Sequence, residues 1–156
     1  MENRLIIHTD GGARGNPGPA AIGVVIEQEG KIIHEFGKKI GETTNNVAEY
    51  TAVIEALRFL KKTGDNEPAP TQIYSNRGEQ GTKINFFLDS KLVVEQLNGN
   101  YKIKDSKLRE LSLQVRMIEQ DLSADRQKLG SVITYAYVPR EQNKRADLMV
   151  NQALDQ

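Results

Sequence analysis

The sequence lacks several residue types that would point to particular classes of protein. It has no cysteine and no tryptophan among its 156 residues, and aromatic residues make up only 6% of it. Without cysteine there can be no disulfide, thiolate metal site or cysteine nucleophile, which fits a reducing compartment such as the cytoplasm. Because no run of roughly 18 or more apolar residues is present, we expect no membrane span, and the first residues lack the pattern of a secretory signal.

An excess of charge of one sign is also missing. Lysine and arginine total 21, and so do aspartate and glutamate, so total charge does not indicate a nucleic-acid-binding protein. The distribution is less even, because residues 102–116 carry five basic and two acidic side chains, a local excess of three positive charges. Such a segment can meet a polyanion although the whole chain is neutral. The length favours one domain, residues 1–156, with a single core.

Hydrophobic periodicity predicts an α/β fold with the element order β-β-β-α-β-α-α-β-α. The first three strands form an antiparallel meander, and the order predicts a mixed sheet covered by helices. The predicted strands are 5–10, 20–27, 31–39, 84–88 and 132–138, and the predicted helices are 46–62, 90–97, 104–122 and 143–154. Residues 11–19 are predicted as a glycine-rich connection. A polar surface insertion is predicted at 63–82, which is either functional or mobile.

Four acidic residues stand at predicted element boundaries. Asp10 and Asp89 end the first and fourth strands, whereas Glu49 and Asp147 lie in first helical turns. If these two strands are parallel neighbours, their acids lie side by side and repel each other unless cations neutralise them. Oxygen ligands without cysteine or a spaced histidine pair favour Mg²⁺ or Mn²⁺ over Zn²⁺. Each acid alone also has a structural interpretation; for example, Glu49 can complete a capping box with Asn46 as the N-cap.

Other polar or glycine-rich positions carry two interpretations each. The glycines of residues 12–18 fit neither the dinucleotide fingerprint nor a phosphate loop, so they allow close backbone approach or build a turn. His8 and His34 are predicted as ordinary strand residues. The polar residues 43–46 either cap a helix or contact phosphate and sugar. Tyr101 either packs or stacks on a ligand.

Four motifs in order resemble type 1 ribonuclease H. They are Asp10-Gly11-Gly12 with Asn16-Pro17-Gly18-Pro19, then Thr44 to Tyr50, then Asp89-Ser90, then Asn143 to Asp147. The resemblance covers nearly the whole chain apart from 63–82. It implies the ribonuclease H-like fold, a five-stranded mixed sheet with the first three strands antiparallel. It also implies an endonuclease that hydrolyses the RNA strand of RNA–DNA hybrids and leaves 5′-phosphate and 3′-hydroxyl ends.

The same resemblance implies the roles of individual residues. Asp10, Glu49, Asp89 and Asp147 correspond to catalytic ligands of two Mg²⁺ or Mn²⁺ ions about 4 Å apart. Asp10 would bridge both ions, Glu49 and Asp89 would hold one, and Asp147 the other. The implied nucleic-acid contacts are Gly12, Asn16, Thr44, Asn45, Asn46, Ser90, Lys91, Lys102 and Lys104.

The sequence departs from the family pattern in two further places besides the insertion. The link between the last strand and the last helix, residues 138–143, is short and lacks the family's histidine, for which Arg140 or Glu141 could substitute. The separate basic protrusion is missing between residues 100 and 107, so this is a short form. Two alternatives stay open: a non-catalytic module that binds RNA or hybrid, and another nuclease on the same scaffold. We expect a free-standing monomer whose partner is the hybrid duplex.

Overall fold

The computed structural model describes residues 3–62, 81–124 and 132–156. Its elements follow the predicted order. They are β1 (Asn3–Ala13), β2 (Gly18–Gln28), β3 (Lys31–Thr43), α1 (Asn45–Lys62), β4 (Thr82–Leu88), α2 (Lys91–Leu97), α3 (Ser106–Ala124), β5 (Val132–Tyr137) and α4 (Lys144–Leu154), with a short 3₁₀ helix (Arg140–Gln142) before α4.

The strands form one five-stranded mixed sheet in the order β3-β2-β1-β4-β5. Strands β1, β2 and β3 pair antiparallel as a meander, whereas β4 runs parallel to both β1 and β5. The predicted α/β class and the five-stranded ribonuclease H-like sheet are therefore confirmed. The parallel pairing of β1 and β4 places the ends of both strands at one edge of the sheet.

Helices cover both faces of this sheet. On one face, α1, α2 and α3 enclose the main apolar core, in which Ile7, Ile22, Leu57 and Phe86 are fully buried. On the other face, α4 packs on the antiparallel strands, where alternate residues of β2 point toward it. The described residues include no helix long and apolar enough to cross a membrane.

Three glycines let helix backbones touch the sheet directly. A Cβ atom on Gly11 would lie 2.2 Å from the carbonyl carbon of Ala48 in α1. On Gly23 and Gly37 it would lie 2.2 Å and 2.3 Å from carbonyl oxygens of α4. Gly23 pairs with Gly37 and also with Asp10, so α4 rests on the same row of the sheet that holds this acid. Among the glycines of residues 12–18, close backbone approach is confirmed at Gly18, where a Cβ atom would lie 2.2 Å from the backbone oxygen of Arg14.

Several predicted boundaries were wrong because strand pairing continues through sequence that is typical of turns. β1 extends to Ala13, and both Gly11 and Gly12 pair with β2, so they are strand residues and not part of the connection. β3 likewise continues to Thr43 through a register shift. Thr82, which was predicted as the last residue of the insertion, is buried and begins β4. The rest of the predicted insertion, residues 63–80, lies outside the described residues.

The first helical turn of α3 also begins later than predicted. The side chain of Asp105 accepts a hydrogen bond of 2.9 Å from the amide of Leu108, so it caps the helix that starts at Ser106. Lys104 therefore precedes the helix.

We expect Gly23→Ala to lower the free energy of unfolding by about 1–3 kcal/mol, because its methyl group would overlap the α4 backbone. Gly12→Ala is the matched control, since a Cβ there would meet only Val150 Cγ1 at 3.8 Å. Its effect should stay within about 0.5 kcal/mol. Urea unfolding followed by circular dichroism measures both. Equal stability of the two variants would contradict the close contact of α4 with β2.

Candidate active site

The ends of β1 and β4 bring two acids together. Asp10 lies near the end of β1 and is buried, and Asp89 directly follows β4 and is half-buried. The parallel register, in which His8 is opposite Phe87, continues toward both acids. They are neighbours as expected from the strand order.

Glu49 reaches the same place from α1. It is only 6% exposed, and it accepts a hydrogen bond from the backbone amide of Gly11. The predicted capping box is wrong, because Thr44 caps the helix: its Oγ1 accepts from the amide of Val47 at 3.3 Å. Asn46 lies inside the first turn, which leaves the Glu49 carboxylate to face the strand ends.

Three of the four predicted acids form a compact cluster. One carboxylate oxygen from each of Asp10, Glu49 and Asp89 lies within 4.8 Å of the others. Asp147, in the first turn of α4, is half-buried, hydrogen-bonds to Asp10 and lines the same open pocket of about 500 Å³. The fold therefore gathers all four acids from two strands and two helices.

The cluster is strained electrostatically. Burial, and next the charge of Asp89, raise the pKa of Asp10 to about 7. Burial and the charge of Asp10 hold the pKa of Glu49 well above its ordinary value. Burial also raises the pKa of Asp89, although a hydrogen bond from Asn143 opposes the rise. In each case the ionised form is disfavoured until positive charge arrives.

The donor set fits a hard divalent cation. Every group in the cluster is a carboxylate oxygen, the ligand type that Mg²⁺ and Mn²⁺ prefer. Among the described residues, Oε2 of Glu49 is a buried side-chain oxygen without a hydrogen-bond partner. A buried orphan acceptor is costly, and a bound cation would satisfy it.

Asn143 is a site residue whose role was not predicted from the sequence. It is 1% exposed, and its Nδ2 donates to the backbone oxygen of Thr9 at 2.9 Å and to Oδ2 of Asp89 at 3.4 Å. The residue precedes α4, but its side chain makes no capping bond. It instead links the start of α4 to β1 and to Asp89. An asparagine at a helix start is usually interpreted as an N-cap, so the local sequence does not indicate the hydrogen bonds that this side chain makes to Thr9 and Asp89.

Two predicted substrate residues, Asn16 and Asn45, are held by hydrogen bonds to backbone, and of the two only Asn45 lines the pocket. Oδ1 of Asn16 accepts from the amide of Asn45 at 3.0 Å, and Oδ1 of Asn45 accepts from the amide of Ala13 at 2.8 Å. These bonds fix each side-chain oxygen and orient each Nδ2 group as a donor. Both side chains are exposed, so a ligand can reach them.

The other predicted nucleic-acid contacts differ in whether they line the pocket. Gly12, Asn46 and Ser90 line the pocket, and Ser90 also caps α2 through its Oγ. Lys91, Lys102 and Lys104 are exposed but do not line the pocket. Among the pocket residues that were predicted neither as metal ligands nor as contacts, three have charged or amide side chains: Arg14, Arg140 and Asn151.

Comparison with known proteins identifies the family of the chain. The model of the RNase H family matches residues 2–155. The chain belongs to the RNase H family. Among solved structures, LC11-RNase H1 from compost is 42% identical with a TM-score of 0.79, covering 98% of this chain and 96% of that one. RNase H1 of Halobacterium salinarum is 35% identical with a TM-score of 0.75, covering 97% and 98%. A further structure holds LC11-RNase H1 in complex with an RNA/DNA hybrid.

Some relatives in the family are longer proteins. The bifunctional protein Rv2228c of Mycobacterium tuberculosis is 35% identical across 97% of this chain, which spans 36% of that protein. The ribonuclease HI of Halobacterium salinarum is also 35% identical, and the chain spans 65% of it. The RNase H region is thus combined with additional sequence in these relatives.

In the metal-free protein we expect Asp10→Asn to raise the free energy of unfolding at pH 8, by up to about 4 kcal/mol. The pKa of Asp10 rises from 3.8 to about 7 in the folded state. The protonated carboxyl of Asp10 therefore makes its full contribution to stability below about pH 4, and this contribution is lost as the pH rises through about 7. Near pH 4 the gain should vanish.

Thermal unfolding in a chelator across pH 4–8 measures this effect, and Asp121→Asn on the exposed side of α3 is the control. A variant that is less stable than the wild type at pH 8 would show that Asp10 is not repelled by its neighbours.

Proposed function

We propose that this chain is an endonuclease that hydrolyses the RNA strand of RNA–DNA hybrids with two Mg²⁺ ions. The observation that carries the proposal is the convergence of Asp10, Glu49 and Asp89, with oxygens within 4.8 Å of one another, beside Asp147 in a chain of the RNase H family. Products would carry 5′-phosphate and 3′-hydroxyl ends.

Each carboxylate has a distinct place in this proposal. Asp10 interacts with the other three acids, so it is the residue suited to contact both ions. Glu49 and Asp89 would complete one ion's ligands, and Asp147 the other's. Bound divalent ions would supply an activated water and neutralise the charge that develops on the phosphate. Because the pKa of Asp10 is raised to about 7 and that of Glu49 well above its ordinary value, ion binding would release protons and tighten as the pH rises.

Substrate selection would rest on the fixed amides. With Oδ1 of Asn16 and Asn45 already bonded to backbone, their Nδ2 groups can donate to sugar or base acceptors in the minor groove. The RNA/DNA hybrid held by LC11-RNase H1 supports this class of substrate. Exposed lysines 91, 102 and 104 would add contacts to phosphate, which carry little sequence information and weaken as salt increases.

Arg140 is the favoured replacement for the family's missing histidine. It lines the pocket, and its positive charge opposes the rise in the pKa of Asp89. Glu141 is exposed and does not line the pocket. A guanidinium stays charged at neutral pH, so Arg140 would bind phosphate and would not transfer protons.

The two alternatives are less well supported. A module that only binds nucleic acid gains nothing from four acids beside a phosphate, because they repel it. Another nuclease on this scaffold would not need the Nδ2 donors of Asn16 and Asn45, which suit the acceptors of a ribose. A monomeric state, a cytoplasmic location and a role in clearing hybrids formed during replication and transcription belong to the same proposal.

The deciding experiment incubates labelled RNA–DNA hybrid, double-stranded RNA and double-stranded DNA with the protein, with and without Mg²⁺. We expect cleavage of the RNA in the hybrid alone, only with the cation, and none by Asp10→Asn. Asp121→Asn, the same change at an exposed site, should cleave like the wild type. Cleavage of DNA, or a fully active Asp10→Asn protein, would refute the proposal.

We expect Asn45→Ala to raise KM for the hybrid by about fivefold to tenfold and to change kcat little, because it removes a substrate donor but no metal ligand. Asn45→Asp keeps the acceptor for the amide of Ala13 and removes the donor, so it should raise KM as well. Steady-state kinetics with a hybrid separate the two parameters. A fall in kcat at constant KM would exclude Asn45 as a binding residue.

A further inference from the structure

Asp147 differs from the other three acids in how it is held. It hydrogen-bonds to Asp10 but is not among the three acids whose oxygens all lie within 4.8 Å of one another, and it lies on the first turn of α4, where it is half-buried. Its carboxylate has a neighbour one turn later: Nδ2 of Asn151 donates to Oδ2 of Asp147 at 3.4 Å and to its backbone oxygen at 3.1 Å. The orientation of this carboxylate therefore depends on an exposed asparagine.

Asn151 is in turn held from outside the helix. Nη2 of Arg14, in the connection between β1 and β2, donates to Oδ1 of Asn151 at 3.4 Å. The same nitrogen pairs with Oδ1 of Asp155 at 2.7 Å, a further turn along the chain. A guanidinium on the oxygen end of the amide fixes which end is the donor, because a reversed amide would set its NH₂ group against the cation and its oxygen against a carboxylate.

We propose that Asn151 is a positioning residue for Asp147, and that Arg14 acts through Asn151. This inference rests on the proposed function, in which Asp147 holds a metal ion. Hydrogen bonds to a ligating carboxylate orient it, and their loss typically weakens metal binding by about tenfold or more. Neither side chain needs to touch the ion or the substrate for this role.

The alternative for Arg14 is a direct contact to a substrate phosphate. Half of its side chain is exposed and it lines the pocket, so the contact is sterically open. Its guanidinium, however, already faces Asp155 and Asn151, and the charge of Asp155 offsets its own. The two roles differ in what they affect: positioning changes cation affinity, whereas a phosphate contact changes hybrid affinity.

The test measures both affinities separately. Hybrid affinity is measured in a chelator, and Ca²⁺, which takes oxygen ligands, is then titrated calorimetrically into the protein–hybrid complex, with gels verifying that the hybrid stays intact. We expect Asn151→Ala and Arg14→Ala to weaken Ca²⁺ binding by about tenfold and to leave hybrid affinity unchanged. The Mg²⁺ concentration for half-maximal cleavage should rise in parallel. Gln152→Ala, an exposed change on the same helix, is the control.

A double variant tests the order of the residues. If Arg14 acts through Asn151, then Arg14→Ala combined with Asn151→Ala should bind Ca²⁺ no more weakly than Asn151→Ala alone. Unchanged cation affinity in the single variants would overturn the inference, and so would a loss confined to hybrid affinity in Arg14→Ala. A wild-type complex that binds no cation would overturn the proposed function and this inference with it, whereas wild-type binding equalled by the variants overturns this inference alone.

Discussion

Direct contact between helix backbones and the sheet is the constraint on which the candidate active site depends. The missing side chains at Gly11 and Gly23 let α1 and α4 approach the sheet to within backbone contact on opposite faces. At this spacing Glu49 and Asp147, each in an early turn of its helix, reach the strand ends that carry Asp10 and Asp89. A larger residue at either glycine would move a whole helix and its acid with it.

That packing imposes a charge cluster which is unfavourable by itself. Burial disfavours the ionised form of Asp10, repulsion from Asp89 adds to this effect, and the pKa of Asp10 rises to about 7. The apolar core between the sheet and α1 to α3 supplies the stability that offsets this cost. The strands and helices that carry the four acids set their positions, and bound cations would neutralise their charge. The candidate site thus lowers the stability of the fold locally, and packing elsewhere compensates for it.

The sequence was sufficient for the parts of this site that follow from periodicity and element order. Asp10 lies near the end of β1 and Asp89 directly follows β4, and their proximity was predicted on the condition that these two strands are parallel neighbours, as the register shows them to be. The sequence was insufficient where contacts with residues distant along the chain determine the local structure. The pairing of Gly11 and Gly12 with β2 overrides their turn-like composition. Asn143 looks like a helix cap, yet its amide binds Thr9 and Asp89 because the fold brings them near.

Thr44 illustrates the same limit at a single helix start. The four polar residues 43–46 are each of a type that can cap a helix, and local sequence does not rank them as caps of α1. Because Thr44 is the cap, Asn45 lies in the helix. Its Oδ1 accepts a hydrogen bond from the backbone amide of Ala13, and its own backbone amide donates to Oδ1 of Asn16. A cap one residue later would turn these groups away from the β1–β2 connection.

The connection between β1 and β2 joins both helices that deliver acids to the pocket. On one side Ala13 and Asn16 bond to Asn45 at the start of α1. On the other side Arg14 bonds to Asn151 and pairs with Asp155 at the end of α4. Groups proposed to contact a substrate and groups proposed to orient Asp147 therefore share one short segment continuous with the strand of Asp10. Both sets of groups are attached to strands and helices. The positions of the substrate contacts and of the carboxylates therefore depend on the same backbone, and a shift in one would change the other.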